Sequence, residues 1–281
     1  MSIWTAYLGA EARFADVGGI STRYVALGEG PVVLFLHGRG GHLETFVRNA
    51  PALAARFRTI SVDLLGHGMT AQTATGDYSI AALTKHIGRF LEVLGVRDAR
   101  VVGQSLGGWV AVWLALNEPE RIGRLVLIEP QGLQSEEERL AAPGAEERYR
   151  VGGEAYENPT REAVRKRLSG LVADHGLIDD DMVETRWRLY QPEASRAVHQ
   201  HVRRAPNGAF LLTAERLKKL RQPALFVRGE HGHTPLPIIE ASARACVEAQ
   251  VLTVPGTKQW PQYERPDLVN PAMTDFFLNR R

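Results

Sequence analysis

Apolar and polar positions along the chain fall into two alternating patterns. Short apolar runs occupy 31–36 (Pro-Val-Val-Leu-Phe-Leu), 58–63, 100–103, 124–128, 224–228 and 249–254. Each is only four to six residues long and rich in Val, Leu or Ile, as strands buried on both faces are. Between them, helical spacing predicts helices over about 44–56, 80–94, 106–116, 236–248 and 265–279. Residues 12–17 and 20–27 read as a hairpin around Gly18-Gly19. The stretch 133–205 is polar, charged and helix-rich. Strands alternating with helices predict an α/β fold, a mostly parallel sheet with helices on both faces. On this reading 1–132 and 206–281 form the core, and 133–205 is a helical lid inserted into it. Sites in such sheets form at the carboxyl ends of strands. The loops to watch are therefore 37–41, 103–107, 129–132, 229–235 and 255–260.

Composition narrows the class. The chain has 281 residues, enough for one domain with an insertion and a sizeable core. Its net charge is +2 and it has no basic tract, so no nucleic-acid partner is expected. The longest apolar stretches, near 101–116 and 122–128, are too short or too interrupted to span a bilayer. No secretory signal opens the sequence, and the lone cysteine, Cys246, has no partner for an internal disulfide. It reads as a core thiol. The expectation is a cytoplasmic protein that takes a small-molecule substrate and needs no membrane.

Ser105 carries the most chemical information. It sits in Gly103-Gln104-Ser105-Leu106-Gly107, a G-x-S-x-G pattern between an apolar strand and an apolar helix. That context makes a nucleophile elbow, a sharp turn that lifts the hydroxyl into the open. A serine hydroxyl is a weak nucleophile until a base takes its proton.

Five pieces of sequence place the chain in a family. They are His37-Gly38, Asp63-Leu64-Leu65-Gly66-His67-Gly68, the elbow 103–108, the segment 177–193, and Trp260-Pro261-Gln262-Tyr263-Glu264-Arg265-Pro266. With them the chain resembles the α/β-hydrolase fold over nearly its whole length. Within that fold it is most similar to the meta-cleavage-product hydrolases, which cut carbon–carbon bonds in dienoate ring-fission products. The resemblance implies a Ser-acid-His triad, with the acid three residues after the glycine that closes its strand and the histidine just before the Trp260 motif. Here the acid's position is Gly232 and the histidine's is Gln259. A neutral amide cannot act as a general base. The resemblance also allows a homodimer.

Other candidates follow from the same loops. Glu129 ends a strand where the family has glycine, so it reads as a relocated acid or as a base acting on substrate. His231 and His233 are possible substitute bases. The backbone N–H groups of Arg39 and Leu106 are expected to form an oxyanion hole. Gly38, Gly40, Gln104, Gln259, Trp260, His233 and Trp187 are expected to line the substrate pocket. His37 and His67 read as structural, Asp63 as a loop fastener, and the charged run 161–167 as a solvated helix face. No metal-ligand cluster is apparent, and no G-x-G-x-x-G opens a helix after the first strand, so no cofactor is expected. Three functions stay open: non-hydrolytic chemistry on an enolisable carbonyl substrate, hydrolysis by a rewired triad, or ligand binding by a dead site. The first is preferred.

Overall fold

The structure is a computed structural model that describes residues 3–73 and 75–278, the side chain of Trp4 apart. Eight strands form one sheet: β1 (Glu11–Asp16), β2 (Ser21–Leu27), β3 (Val32–Leu36), β4 (Arg58–Val62), β5 (Ala99–Gln104), β6 (Ile122–Ile128), β7 (Ala224–Gly229) and β8 (Ala249–Val254). Their spatial order is β1-β2-β4-β3-β5-β6-β7-β8. β1 and β2 make the expected antiparallel hairpin, β2 joins β4 antiparallel, and β4 through β8 run parallel.

The apolar runs stay apolar because both faces of the sheet are covered. Along β3, Leu34 and Leu36 enter one core cluster while Val33 and Phe35 enter the other. Along β6, Leu125 and Leu127 face the first cluster, and Val126 and Ile128 the second. The helices that close these cores include α1 (Ile80–Val93), α2 (Leu106–Asn117), α7 (Leu236–Ala245) and α8 (Pro266–Leu278). Ser79 caps α1 by accepting the Ala82 N–H. α2 is apolar almost all round and buried almost throughout, as a helix at the centre of an α/β layer must be. The final residue of the predicted last helix, 279, lies outside the described residues.

Between β6 and β7 the chain forms no strand among the described residues. Its longer helices are α3 (Ala145–Glu157), α4 (Arg161–Ser169), α5 (Asp180–Tyr190) and α6 (Glu193–Arg204). They share a third apolar cluster, built around Tyr156, Leu168, Met182 and Tyr190, which rests on Trp260 and Tyr263 of the core.

One predicted element is absent. The helix expected over 44–56 is instead a 3-10 turn, Leu43–Phe46, and a single α turn, Ala50–Leu53. Pro51 is the reason. It has no N–H to donate and its ring clashes with the preceding turn, so it serves only at the start of the second piece. The apolar residues Leu43, Phe46, Ala50 and Leu53 are buried all the same. Burial therefore survived where the helix did not.

The elbow depends on close approach of β3 to α2. A Cβ on Gly107 would stand 2.1 Å from the Leu36 carbonyl oxygen, which is backbone and has no freedom to yield. Gly107→Ala should cost about 2–3 kcal/mol of stability, read as a lower urea midpoint at unchanged m-value.

Candidate active site

Ser105 follows β5 and opens α2 with φ 53 and ψ −113, a conformation that strains any residue with a side chain. Backbone bonds hold it there. Its N–H donates to Ile128 O at 2.9 Å, and its carbonyl accepts from Gln131 and Gly108 at 3.0 Å each. Glu129, at the tip of β6, is the other non-glycine residue of positive φ among the described residues, at 43°. Gln104 and Ile128 are paired in register, so the two strained residues cap neighbouring strands.

The Glu129 side chain turns away from Ser105 toward β7. It is fully buried, accepts the Gly229 N–H on Oε1 (2.8 Å) and the Thr234 N–H on Oε2 (3.3 Å), and is absent from the cavity wall. A base acting directly on substrate is thereby corrected: this carboxylate is walled off. Burial pushes it up to about 7, against the opposing pull of its two backbone donors. A Cβ on Gly232 would fall 1.8 Å from Glu129 Oε1. The Glu129 carboxylate thus fills the volume that a side chain at 232 would need.

A cavity of about 410 Å³ opens over the elbow. Of the expected pocket residues, Ser105, Gly38, Arg39, Gln104, Gln259, Trp260 and His233 line it. Gln104 Nε2 reaches the Gln259 carbonyl at 3.4 Å, while the buried Gln259 Oε1 has no hydrogen-bond partner. The backbone N–H groups of Arg39 and Leu106 enter no hydrogen bond among the described residues, and so are free to serve an oxyanion. Two residues from α4 and α5 fasten the loop that carries Arg39. Arg167 Nη2 donates to the Arg39 carbonyl (3.0 Å) and the Tyr190 hydroxyl to the Gly40 carbonyl (2.6 Å).

Two pocket expectations are corrected. Gly40 does not line the cavity; it packs under Tyr156 and Arg167, where a Cβ would come within 2.7 Å of both. Trp187 is outside it too, its indole N–H given to Pro159 O (2.9 Å) and its ring covered by Arg161.

No histidine ring is hydrogen-bonded to the Ser105 hydroxyl among the described residues. His231 is exposed and lies 3.9 Å from Glu230. His233 Nε2 lies 3.2 Å from Gly170 O, and burial pushes the ring down to about 4. His37 accepts the Leu64 N–H on Nε2 at 3.0 Å, a structural post as expected. Asp63 fastens its loop, as expected, by accepting the Leu43 N–H (2.7 Å) and the Met69 N–H (2.8 Å).

Residues of the helical segment complete the cavity, and these were not foreseen. Eight Arg and Lys side chains line it against one carboxylate, Glu147, which is bonded outward to Arg150. Arg186 is 1% exposed and has no carboxylate partner among the described residues. Its Nε donates to His42 Nε2 (3.3 Å), its guanidinium lies 5.0 Å from the Trp260 ring centre, and its Nη2 is unpaired. His42 in turn donates from Nδ1 to Glu44 Oε2 (2.7 Å), so the imidazole is neutral and presents a lone pair to Arg186. A signal was present in the sequence. Arg186 continues the buried stripe Met182, Val183 and Tyr190, and His199 continues Ser195, Val198 and Val202.

Two outcomes test the Glu129 geometry. Gly232→Ala should destabilise by about 2–3 kcal/mol, but by under about 0.5 kcal/mol in a Glu129→Gly background, as a denaturation double-mutant cycle would report. The second concerns pH. The native carboxyl keeps its proton up to about 7 whereas an unfolded glutamate loses it near 4.5. The native state therefore binds the extra proton between these values, and stability falls as pH rises through them. Relative to Glu129→Gln, the wild type should lose about 2–3 kcal/mol between pH 5 and 8, followed by urea unfolding at each pH.

Comparison with known proteins agrees with this geometry. The pattern of the alpha/beta hydrolase fold matches residues 31–266. The chain is 28% identical over 280 residues to 2-hydroxy-6-oxo-6-(2'-aminophenyl)hexa-2,4-dienoic acid hydrolase of Metapseudomonas resinovorans, covering 96% of this chain and 91% of that one. It is also similar to the dihydrolipoyllysine-residue acetyltransferase component of the acetoin cleaving system. The identity is 34% in Pseudomonas putida, over 95% of this chain and 70% of the relative. In Cupriavidus necator it is 39% over 124 residues, 44% of this chain and a third (33%) of the relative. Among solved structures, a meta-cleavage product hydrolase from Pseudomonas fluorescens IP01 superposes with a TM-score of 0.81 at 24% identity, over 95% of this chain and 97% of that one. No helix among the described residues is long and apolar enough to cross a membrane. The elbow, the sheet order and the matched span make this chain a member of the α/β-hydrolase fold family, close to the meta-cleavage-product hydrolases.

Proposed function

We propose that this chain is an enzyme of small-molecule metabolism that performs non-hydrolytic chemistry on an anionic, enolisable carbonyl compound. The setting we favour is natural-product metabolism. One observation carries the reading: among the described residues the Ser105 hydroxyl is hydrogen-bonded to no imidazole, and Gln259 stands where the family resemblance implies one. Without a base the hydroxyl remains a hydrogen-bond donor rather than a nucleophile.

What the site retains suits an enolate. The Arg39 and Leu106 N–H groups would accept the negative oxygen that forms when a carbonyl enolises. Ser105 Oγ–H would add a third donor. The buried Arg186, lacking a carboxylate of its own, would hold a substrate carboxylate. His233, neutral through the working pH range, offers a ring lone pair to a migrating proton. The relatives' names denote dienoic acids that carry a 6-oxo group, and only that class, a carboxylate with an enolisable ketone, is carried over. Cyclisation or other C–C bond formation, conjugate addition, isomerisation and C–C lyase steps all pass through such an enolate. Glu129 would act from behind the site, holding β7 and its loop in place.

A fluorophosphonate probe separates this reading from a serine hydrolase. Wild-type protein should label no faster than Ser105→Ala, whereas Gln259→His, which returns a base to the site, should label at least about 100-fold faster. Rapid labelling of wild-type Ser105 would overturn the proposal and restore a rewired triad. Absence of both labelling and turnover across enolisable keto acids, with tight ligand binding retained, would favour a binding protein.

A further inference from the structure

One wall of the cavity gathers positive charge that the protein does not neutralise. Arg167 of α4 donates from Nη1 to Gly152 O (2.6 Å) and from Nη2 to Arg39 O (3.0 Å). Arg203 of α6 donates from Nη1 to Tyr149 O (2.9 Å), and its guanidinium lies 3.4 Å from the centre of the Tyr149 ring. Carbonyls and rings hold both groups; neither has a carboxylate partner among the described residues. Both tips face the same point, since a Cβ on Gly152 would lie 3.0 Å from Arg167 Nη1 and 3.6 Å from Arg203 Nη1. Arg39 stands nearby with a buried, unpaired Nε. Its nearest acid, Glu136, is 3.8 Å away and is already bonded to Arg139 at 2.6 Å.

His199 stands with them on the same wall. It is 3% exposed, stacks on Tyr156 with ring centres 3.7 Å apart and planes at 7°, and has both ring nitrogens unpartnered. Burial, and then the charges of Arg167, Arg203 and Arg39, hold it well below its ordinary value, so it is neutral. A neutral imidazole keeps one N–H to donate.

We propose that Arg167, Arg203, Arg39 and His199 form a subsite for a dianionic, phosphate-type oxyanion carried by the ligand. The inference rests on the reading that the cavity takes an anionic small molecule, and adds a second charged group to it. Charge counting favours a dianion over a monoanion. Glu136 offsets one of Arg39 and Arg139, so of these four cations three stay unneutralised among the described residues: Arg167, Arg203 and the other of that pair. A single carboxylate would leave two of them so, a dianion only one. Adjacent cations repel in a partly desolvated wall, and an oxyanion between them converts that repulsion into attraction. The guanidinium fork matches an oxyanion edge, His199 supplies a neutral donor, and the absent side chain at Gly152 leaves room.

Titration calorimetry near neutral pH at fixed ionic strength tests the subsite, with inorganic phosphate and acetate as probes. Phosphate should bind one per chain, and acetate at least about tenfold more weakly. Arg203→Gln and His199→Phe, the second retaining a ring to stack on Tyr156, should each weaken phosphate about tenfold or more. Arg203→Lys should recover part of the loss, while Ser105→Ala and Gln259→His should bind phosphate as the wild type does. Phosphate binding no better than chloride, acetate matching phosphate, or affinity indifferent to both Arg203→Gln and His199→Phe would overturn the subsite. Fluorophosphonate labelling of wild-type Ser105 with phosphate binding intact would sink the non-hydrolytic reading and leave the subsite standing.

Discussion

Two strained residues at the tips of adjacent parallel strands set the geometry of everything above the sheet. Ser105 and Glu129 both adopt positive φ, and both are pinned by bonds to the next strand: Ser105 N–H to Ile128 O, Glu129 N–H to Val227 O. Such conformations persist only where the surroundings over-determine them. Here the surroundings are the sheet register itself and the close approach of Leu36 to Gly107. One strained turn lifts a hydroxyl toward the cavity. The other sends a carboxylate sideways into the gap left by Gly232. From this turn the Glu129 side chain reaches both the Gly229 N–H at the end of β7 and the Thr234 N–H of the loop that follows.

The contrast between floor and roof defines the site. The floor, from the core, is mainly neutral and hydrogen-bonding, with Gln104, Gln259, Ser105 and the free N–H groups of the oxyanion loop, and carries cations only at Arg39 and Lys258. The roof, from the helical segment, is cationic, with Arg148, Lys166, Arg167, Arg186 and Arg203 all on the cavity wall. A chain of net charge +2 has therefore concentrated its positive charge around one space. That space favours an anion before any detail of the reaction matters.

The strands and the elbow were legible in the sequence because local pattern decides them. Apolar runs of four to six residues have few alternatives to a doubly covered strand, and a G-x-S-x-G between strand and helix has one. The helix expected over 44–56 failed where periodicity competed with a proline, and the proline prevailed. The cations of the roof were hidden for a different reason. A run such as Arg161 to Arg167 is amphipathic, and the exposed residues Arg161, Glu162 and Arg165 do face solvent. Arg167 is on the other side of the same helix, with the buried Val164 and Leu168, and only that spacing distinguishes it. The stripe shows which arginine of a charged helix points inward, but only packing against another element shows what it meets there. Gln259 and Gly232 were legible as departures from the family pattern. The way Glu129 answers the second of them was not, because it depends on a backbone angle.

Arg167 and Tyr190 give the roof a mechanical link to the floor. Each grips a carbonyl of the loop whose Arg39 N–H, on the proposed reading, would meet the reacting oxygen. Raising the helices far enough to admit a ligand would release those grips and let the peptide rotate. Settling them back would restore its aim. The placement of that peptide thus depends on where the helices sit, and an anion bound to Arg167 would bear on the loop beneath it through the same bond.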